Sequence, residues 1–186
     1  MPPNNNDELF PLVNEQGEVV GSATRAFCHG GTKPLHPVVH LHVLNSRGEL
    51  YLQKRSMLKD IQPGKWDTAV GGHVDYGEGV DDALLREARE ELGITGFTPC
   101  FLLSYVFESK VEKELVHVFT TCYDGVVVPD PDEISEGAFW PASKIDEAIG
   151  KGIFTPNFEH ELQRIRGLVF WGGTTEIKPD FLDETT

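Results

Sequence analysis

The stretch Gly71-Gly72-His73-Val74-Asp75-Tyr76-Gly77-Glu78 leads into a segment that closes on Arg86-Glu87-Ala88-Arg89-Glu90-Glu91-Leu92-Gly93-Ile94. The residues between predict a helix from Gly79 to Leu92, with Gly93 where a glycine C-cap stands. At about 100° per residue, Glu87, Glu90 and Glu91 fall within one third of the helix circumference. Leu85, Ala88 and Leu92 turn to another side and are expected in the core. Carboxylates three and four residues apart repel by roughly 0.2–0.5 kcal/mol per pair. Arg86 stands four residues before Glu90, so a solvated, salt-bridged face would account for the pattern. A hard divalent cation would account for it differently, because magnesium takes carboxylate oxygens and substrate phosphates together.

The surroundings favour the cation. Gly72, Glu78, Arg86, Glu87, Glu90, Glu91, Gly93 and Ile94 reproduce the box of the Nudix hydrolase family, G-x5-E-x7-R-E-U-x-E-E-x-G-U with U aliphatic, over residues 72–94. Ala88, at the first aliphatic position, is the one departure and touches no catalytic group. The resemblance implies an α/β fold, the α/β/α sandwich with a mixed β-sheet, and cleavage of a diphosphate linked to another moiety. It further implies Glu87, Glu90 and Glu91 as ligands of magnesium or manganese, with a backbone carbonyl of Gly71 or Gly72 nearby. Glu78 and Arg86 would pair and fix the loop onto the helix. A general base outside the box would come from Glu133 or Glu136 in the acidic loop.

Outward from the box the chain reads as strands with a few helices. Residues 8–23 form a hairpin around Asn14-Glu15-Gln16-Gly17, and residues 24–37, broken by Gly30, Gly31, Pro34 and Pro37, are irregular. Val38–Leu44 and Leu50–Gln53 are strands, with a short extended piece at Trp66–Val70. Phe97–Phe107, Leu115–Tyr123 and Gly137–Trp140 are further strands; Ser143–Ile149 and Asn157–Phe170 are helices. Without regular βα alternation, a mixed sheet covered by helices is expected. The 186 residues are expected to form a single Nudix domain.

A second constellation precedes and follows the box. His29, His36 and His73, with Glu112 and Glu114 two apart on one strand face, resemble in order and spacing the metal site of isopentenyl-diphosphate isomerase, a Nudix-fold enzyme. That resemblance covers residues 8–140 and implies a second metal site. The isomerase carries a catalytic cysteine two residues before the third histidine, where this chain has Gly71, and its box is degraded whereas this one is complete. His40 and His42 alternate with Leu41 and Val43 and are read as a solvent-facing pair. Trp66, before the glycine loop, is a candidate pocket wall beside Gly71 and Gly72.

Charge narrows the partners. Sixteen basic against 30 acidic residues give a net charge of −14. That surface repels nucleic-acid polymers and anionic membranes. A small phosphorylated substrate remains compatible, with a bound cation supplying local positive charge. No apolar run reaches the roughly 20 residues of a membrane span, and Cys28, Cys100 and Cys122 form no CxxC. A cytoplasmic protein is expected, with a homodimer left open. The leading expectation is a metal-dependent diphosphohydrolase. Its alternatives are an isomerase of short prenyl diphosphates and a non-catalytic, nucleotide-sensing Nudix module.

Overall fold

A computed structural model describes residues 6–59 and 61–168. In chain order the elements are β1 (Leu9–Val13), β2 (Val19–Thr24), α1 (Arg25–Cys28), β3 (Leu35–Leu44), β4 (Leu50–Arg55), β5 (Trp66–Asp67) and β6 (Val70–His73). There follow α2 (Val80–Leu92), β7 (Cys100–Glu108), β8 (Lys113–Cys122), β9 (Ile134–Trp140), α3 (Ala142–Ala148) and α4 (Pro156–Ile165). Strands β1 and β2 form the expected hairpin; Asn14 Oδ1 closes its turn by accepting from the backbone N–H groups of Gln16 and Glu18. The other seven strands make one mixed sheet, in which β3 pairs parallel with β8 and antiparallel with β6.

Alternation along β3 divides the core between two faces. Val39, Leu41 and Val43 pack with Leu84, Ala88 and Leu92 of α2. Val38 and Leu44 join Val116, Val118, Phe158, Leu162 and Ile165 on the α4 side. The sheet is thus covered by helices on both faces, the α/β/α arrangement. Each buried leucine or isoleucine contributes about 1.5–3 kcal/mol. Gly93 ends α2 in the left-handed conformation (φ +64), and a Cβ there would press on the Val128 backbone at 3.3 Å.

Four details differ from expectation. Ala88 and Leu92 are buried on α2 as expected, but Leu84, four residues before Ala88, completes the stripe in place of Leu85, which is exposed. Residues 24–37 are not wholly irregular, because Thr24 caps α1 by accepting from the Phe27 N–H and β3 begins at Leu35. Helix α4 starts at Pro156, capped by Thr155, and ends at Ile165 instead of running to residue 170; residues 169 and 170 lie outside the described residues. Trp66, expected as a pocket wall, is instead buried edge-on against Trp140, their centroids 5.0 Å apart, as part of the α4-side core.

Candidate functional site

Helix α2 presents its carboxylates unequally. Glu90 stays at the rim, half exposed, while Glu87 and Glu91, one turn apart, approach β6. Any Cβ on Gly72 would collide with the Glu87 carboxylate, so only glycine permits that approach. Glu91 is buried; its Oε2 accepts from Gln53 Nε2 at 3.1 Å and from the Gly71 N–H at 3.4 Å. Burial, then the charge of Glu87, pushes the Glu91 carboxyl up to about 8, against the opposing pull of Lys59. Burial raises Glu87 as well, with Arg86 pulling the other way. A buried and a part-buried carboxylate side by side, both with raised affinity for protons, are a place where a divalent cation fits.

Arg86 fastens the loop before α2. Arg86 donates to both Glu78 oxygens at 2.9 Å, to the His73 carbonyl at 3.0 Å and to Glu87 at 2.7 Å. This two-pronged pair fixes the turn that carries Gly72 and His73. Of the candidate bases, Glu133 pairs with Lys59, whose own affinity for protons feels Glu91 and Glu87. Glu136 pairs with Lys54 at 3.5 Å and is exposed.

On the other face of β6 the histidines converge. His29, His36, His73 and Glu112 each bring one ligand atom within 4.8 Å of the others. Glu112 Oε2 lies 3.2 Å from His29 Nε2. His36 donates through Nδ1 to the Pro34 carbonyl at 3.0 Å, so its Nε2 lone pair faces the cluster. The Nε2 atoms of all three rings are buried without a hydrogen-bond partner. Burial, then the charge of Arg25, lowers His29 to about 4 and also lowers His73, keeping both rings neutral. Neutral, orphaned imidazoles beside a carboxylate are the donor set a transition metal takes. Glu114 is buried on the same face but stands outside this group of four; burial and the charge of Glu112 push it up to about 8.

His40 and His42 are not solvent-facing. His42 is wholly buried and His40 nearly so, because α4 covers the even-numbered side chains of β3. Both rings bind Glu161, a residue the sequence reading passed over. Also missed were Phe10, which stacks on His73 at 4.3 Å between centroids, and Arg25, held to Glu8 at 3.1 Å with its charge reaching the cluster. Gln53 and Lys59 complete the surroundings of Glu91. The alternation of histidine with leucine and valine was their nearest signal, and period two alone does not say which face is covered.

Comparison with known proteins agrees with this geometry. The NUDIX domain family profile matches residues 34–158. The chain belongs to the Nudix family. It is 30% identical to an uncharacterized Nudix hydrolase of Streptomyces coelicolor over 91% of this chain and 92% of that one. It is 32% identical to isopentenyl-diphosphate Delta-isomerase 1 of Photorhabdus laumondii, over 83% and 92%. Among solved structures, the crystal structure of DR0079 from Deinococcus radiodurans superposes with a TM-score of 0.74 at 29% identity, covering 84% of this chain and 98% of that one. No helix among the described residues is long and apolar enough to cross a membrane.

Proposed function

We propose that this protein hydrolyses a diphosphate linked to another moiety, of the nucleoside diphosphate-X type, at a centre built on Glu87, Glu90 and Glu91. The observation that carries this reading is the pair of part-buried Glu87 and buried Glu91 lodged against Gly71 and Gly72, with Glu91 pushed up to about 8. Bound there, magnesium or manganese would neutralise phosphate charge and polarise the attacked phosphorus. Arg25, Arg55 and Lys59, whose charges reach Glu112, Glu87 and Glu91, offer donors to phosphate oxygens in a chain that is otherwise strongly acidic. Glu78 and Arg86 hold the loop, and their removal would damage turnover indirectly. Of the two candidate bases Glu133 is favoured to take the proton of the attacking water, since its partner Lys59 feels Glu87 and Glu91.

The histidine cluster favours a second reading. His29, His36, His73 and Glu112, with Glu114 beside them, would hold a second metal, as the isomerase relatives suggest. Against double-bond migration stands Gly71, which offers no thiol. A reaction panel read by NMR in the presence of magnesium separates the two. Phosphorus spectra report cleavage of dinucleotide polyphosphates, ADP-ribose, NADH or nucleoside triphosphates, and proton spectra report migration in isopentenyl diphosphate. Cleavage lost in Glu91→Gln is the expected result. Silent phosphorus spectra with a folded protein would sink the hydrolase.

A further inference from the structure

Glu161 is fully buried on α4, yet it is surrounded by donors. Oε2 accepts from His40 Nδ1 at 2.8 Å and from the Tyr105 hydroxyl at 2.8 Å; Oε1 accepts from His42 Nε2 at 2.6 Å and from Thr68 Oγ1 at 3.5 Å. Four donors fill the acceptor capacity of a carboxylate. Fastening β3 to α4 accounts for His42, whose ring is enclosed and whose Nδ1 is buried without a partner.

His40 is different. Its side chain keeps 12% of its surface, and its Nε2 makes no hydrogen bond among the described residues. That nitrogen faces Gly71, which is exposed and paired with His40 across β3 and β6; a Cβ on Gly71 would stand 3.6 Å from it. Gly71 also gives its N–H to Glu91, so the two centres meet at this residue. The charge of Glu114 reaches His40, and His40 in turn is felt by His73. The Glu161 carboxylate at Nδ1 stabilises positive charge on the ring against the cost of its burial.

An imidazole anchored at Nδ1 by a buried carboxylate and open at Nε2 can hand a proton to a reacting group, the anchor stabilising its charge. We propose that His40, held by Glu161, is a proton donor that touches substrate over Gly71 and protonates the oxygen leaving phosphorus. This deepens the hydrolase reading and rests on it. The water oxygen bonds to phosphorus as the bridging P–O bond breaks. The electron pair of that bond stays on the bridging oxygen, which takes the Nε2 proton, while the proton of the water goes to the carboxylate base. The carboxylate base then releases its proton to solvent and His40 regains one, so that one water is consumed and both groups are restored.

The test compares leaving groups. His40→Gln should lose ~100-fold in kcat on a nucleoside diphosphate-X substrate. On the 2,4-dinitrophenyl ester of a nucleoside monophosphate, whose leaving group is a much weaker base than the leaving phosphate and needs no proton, the loss should stay within roughly threefold. Equal losses on both would overturn the proposal, and Glu161→Gln should show the same selectivity in weaker form. Wild-type protein supplies a readout independent of turnover and of any variant's folding. In 15N spectra, magnesium imidodiphosphate that shifts the Gly71 and Gly72 amides must also shift His40 Nε2. Unmoved Nε2 beside shifted glycines overturns the assignment, as does the absence of any shift at all. Failure of wild type to cleave either substrate sinks the hydrolase reading alone, and the spectra still judge the contact.

Discussion

Glu91 on α2 and Glu161 on α4 are both buried, on opposite faces of one sheet, and they end in opposite electrostatic states. Burial acts on both in the same direction, toward the protonated acid. Glu91 has Glu87 beside it and is pushed up to about 8. Glu161 has His40 and His42 and is held well below the usual carboxylate range. The lesson is about where the compensating charge resides. On the α4 face it is supplied by the chain itself, so the carboxylate serves as a scaffold. On the α2 face it is left to come from outside, which is what a cation-dependent centre requires.

The sharpest way to break that contrast is to remove the self-compensated acid. Glu161→Ala would leave His40, His42 and Tyr105 without their acceptor, and the stability lost on breaking such a buried pair is about 3–5 kcal/mol. Urea unfolding measures it; a cost under about 1 kcal/mol would mean that charge does not hold the α4 face. Glu91→Gln should behave in the opposite manner. Deleting a carboxylate that repels its neighbour leaves the chelator-treated protein as stable as wild type, while turnover falls roughly 100-fold or more. A variant that melts early or turns over normally would contradict the assignment of Glu91.

Proton competition sharpens the comparison at a smaller scale. Glu91 and Glu114 have affinities raised to about 8 in the fold against an ordinary 4.5. A raised acid contributes stability below its unfolded value and loses it as pH climbs through the folded one, so the cation-free protein weakens between about pH 4.5 and 8. Bound cation must expel these protons, hence apparent manganese affinity should fall up to about tenfold per pH unit per carboxylate below pH 8. His29, lowered to about 4, is already neutral in that window and adds no competition. Calorimetric titration at pH 6, 7 and 8 reads the slope; a flat profile would contradict the burial of these acids.

The two faces were not equally legible. The α2 face is written locally: eight residues at fixed spacing within 72–94 place glycine loop, ion pair and carboxylates on one turn-helix unit. Spacing still misplaced the edge of the buried stripe, and Leu84 rather than Leu85 went inward beside Ala88 and Leu92. It also treated the three glutamates as equals, whereas tertiary packing buries Glu91 and leaves Glu90 wet. The α4 face is written non-locally, since His40 and Glu161 are 121 residues apart. Nothing near either residue announces the pairing, and alternating histidines look alike whether water or a helix lies above them. Phe10 and Trp66 escaped for the same reason, because the rings that cover them, His73 and Trp140, are distant in sequence.

Gly71, where the faces meet, offers the smallest and most discriminating change. A Cβ there finds His40 Cδ2 at 3.5 Å, an ordinary contact, and the backbone conformation asks for no glycine. Gly71→Cys should therefore melt within a few degrees of wild type, a shift worth under about 1 kcal/mol. It places a thiol two residues before His73, in the position the isomerase resemblance reserves for its cysteine. If His29, His36, His73 and Glu112 hold a metal, the variant should acquire traces of double-bond migration in isopentenyl diphosphate, read by proton NMR with manganese or zinc present. Migration already present in wild type would show that Gly71 is no barrier and would move the chain toward its isomerase relatives. Loaded histidines with no migration in the variant would mean that the thiol is not what this chain lacks.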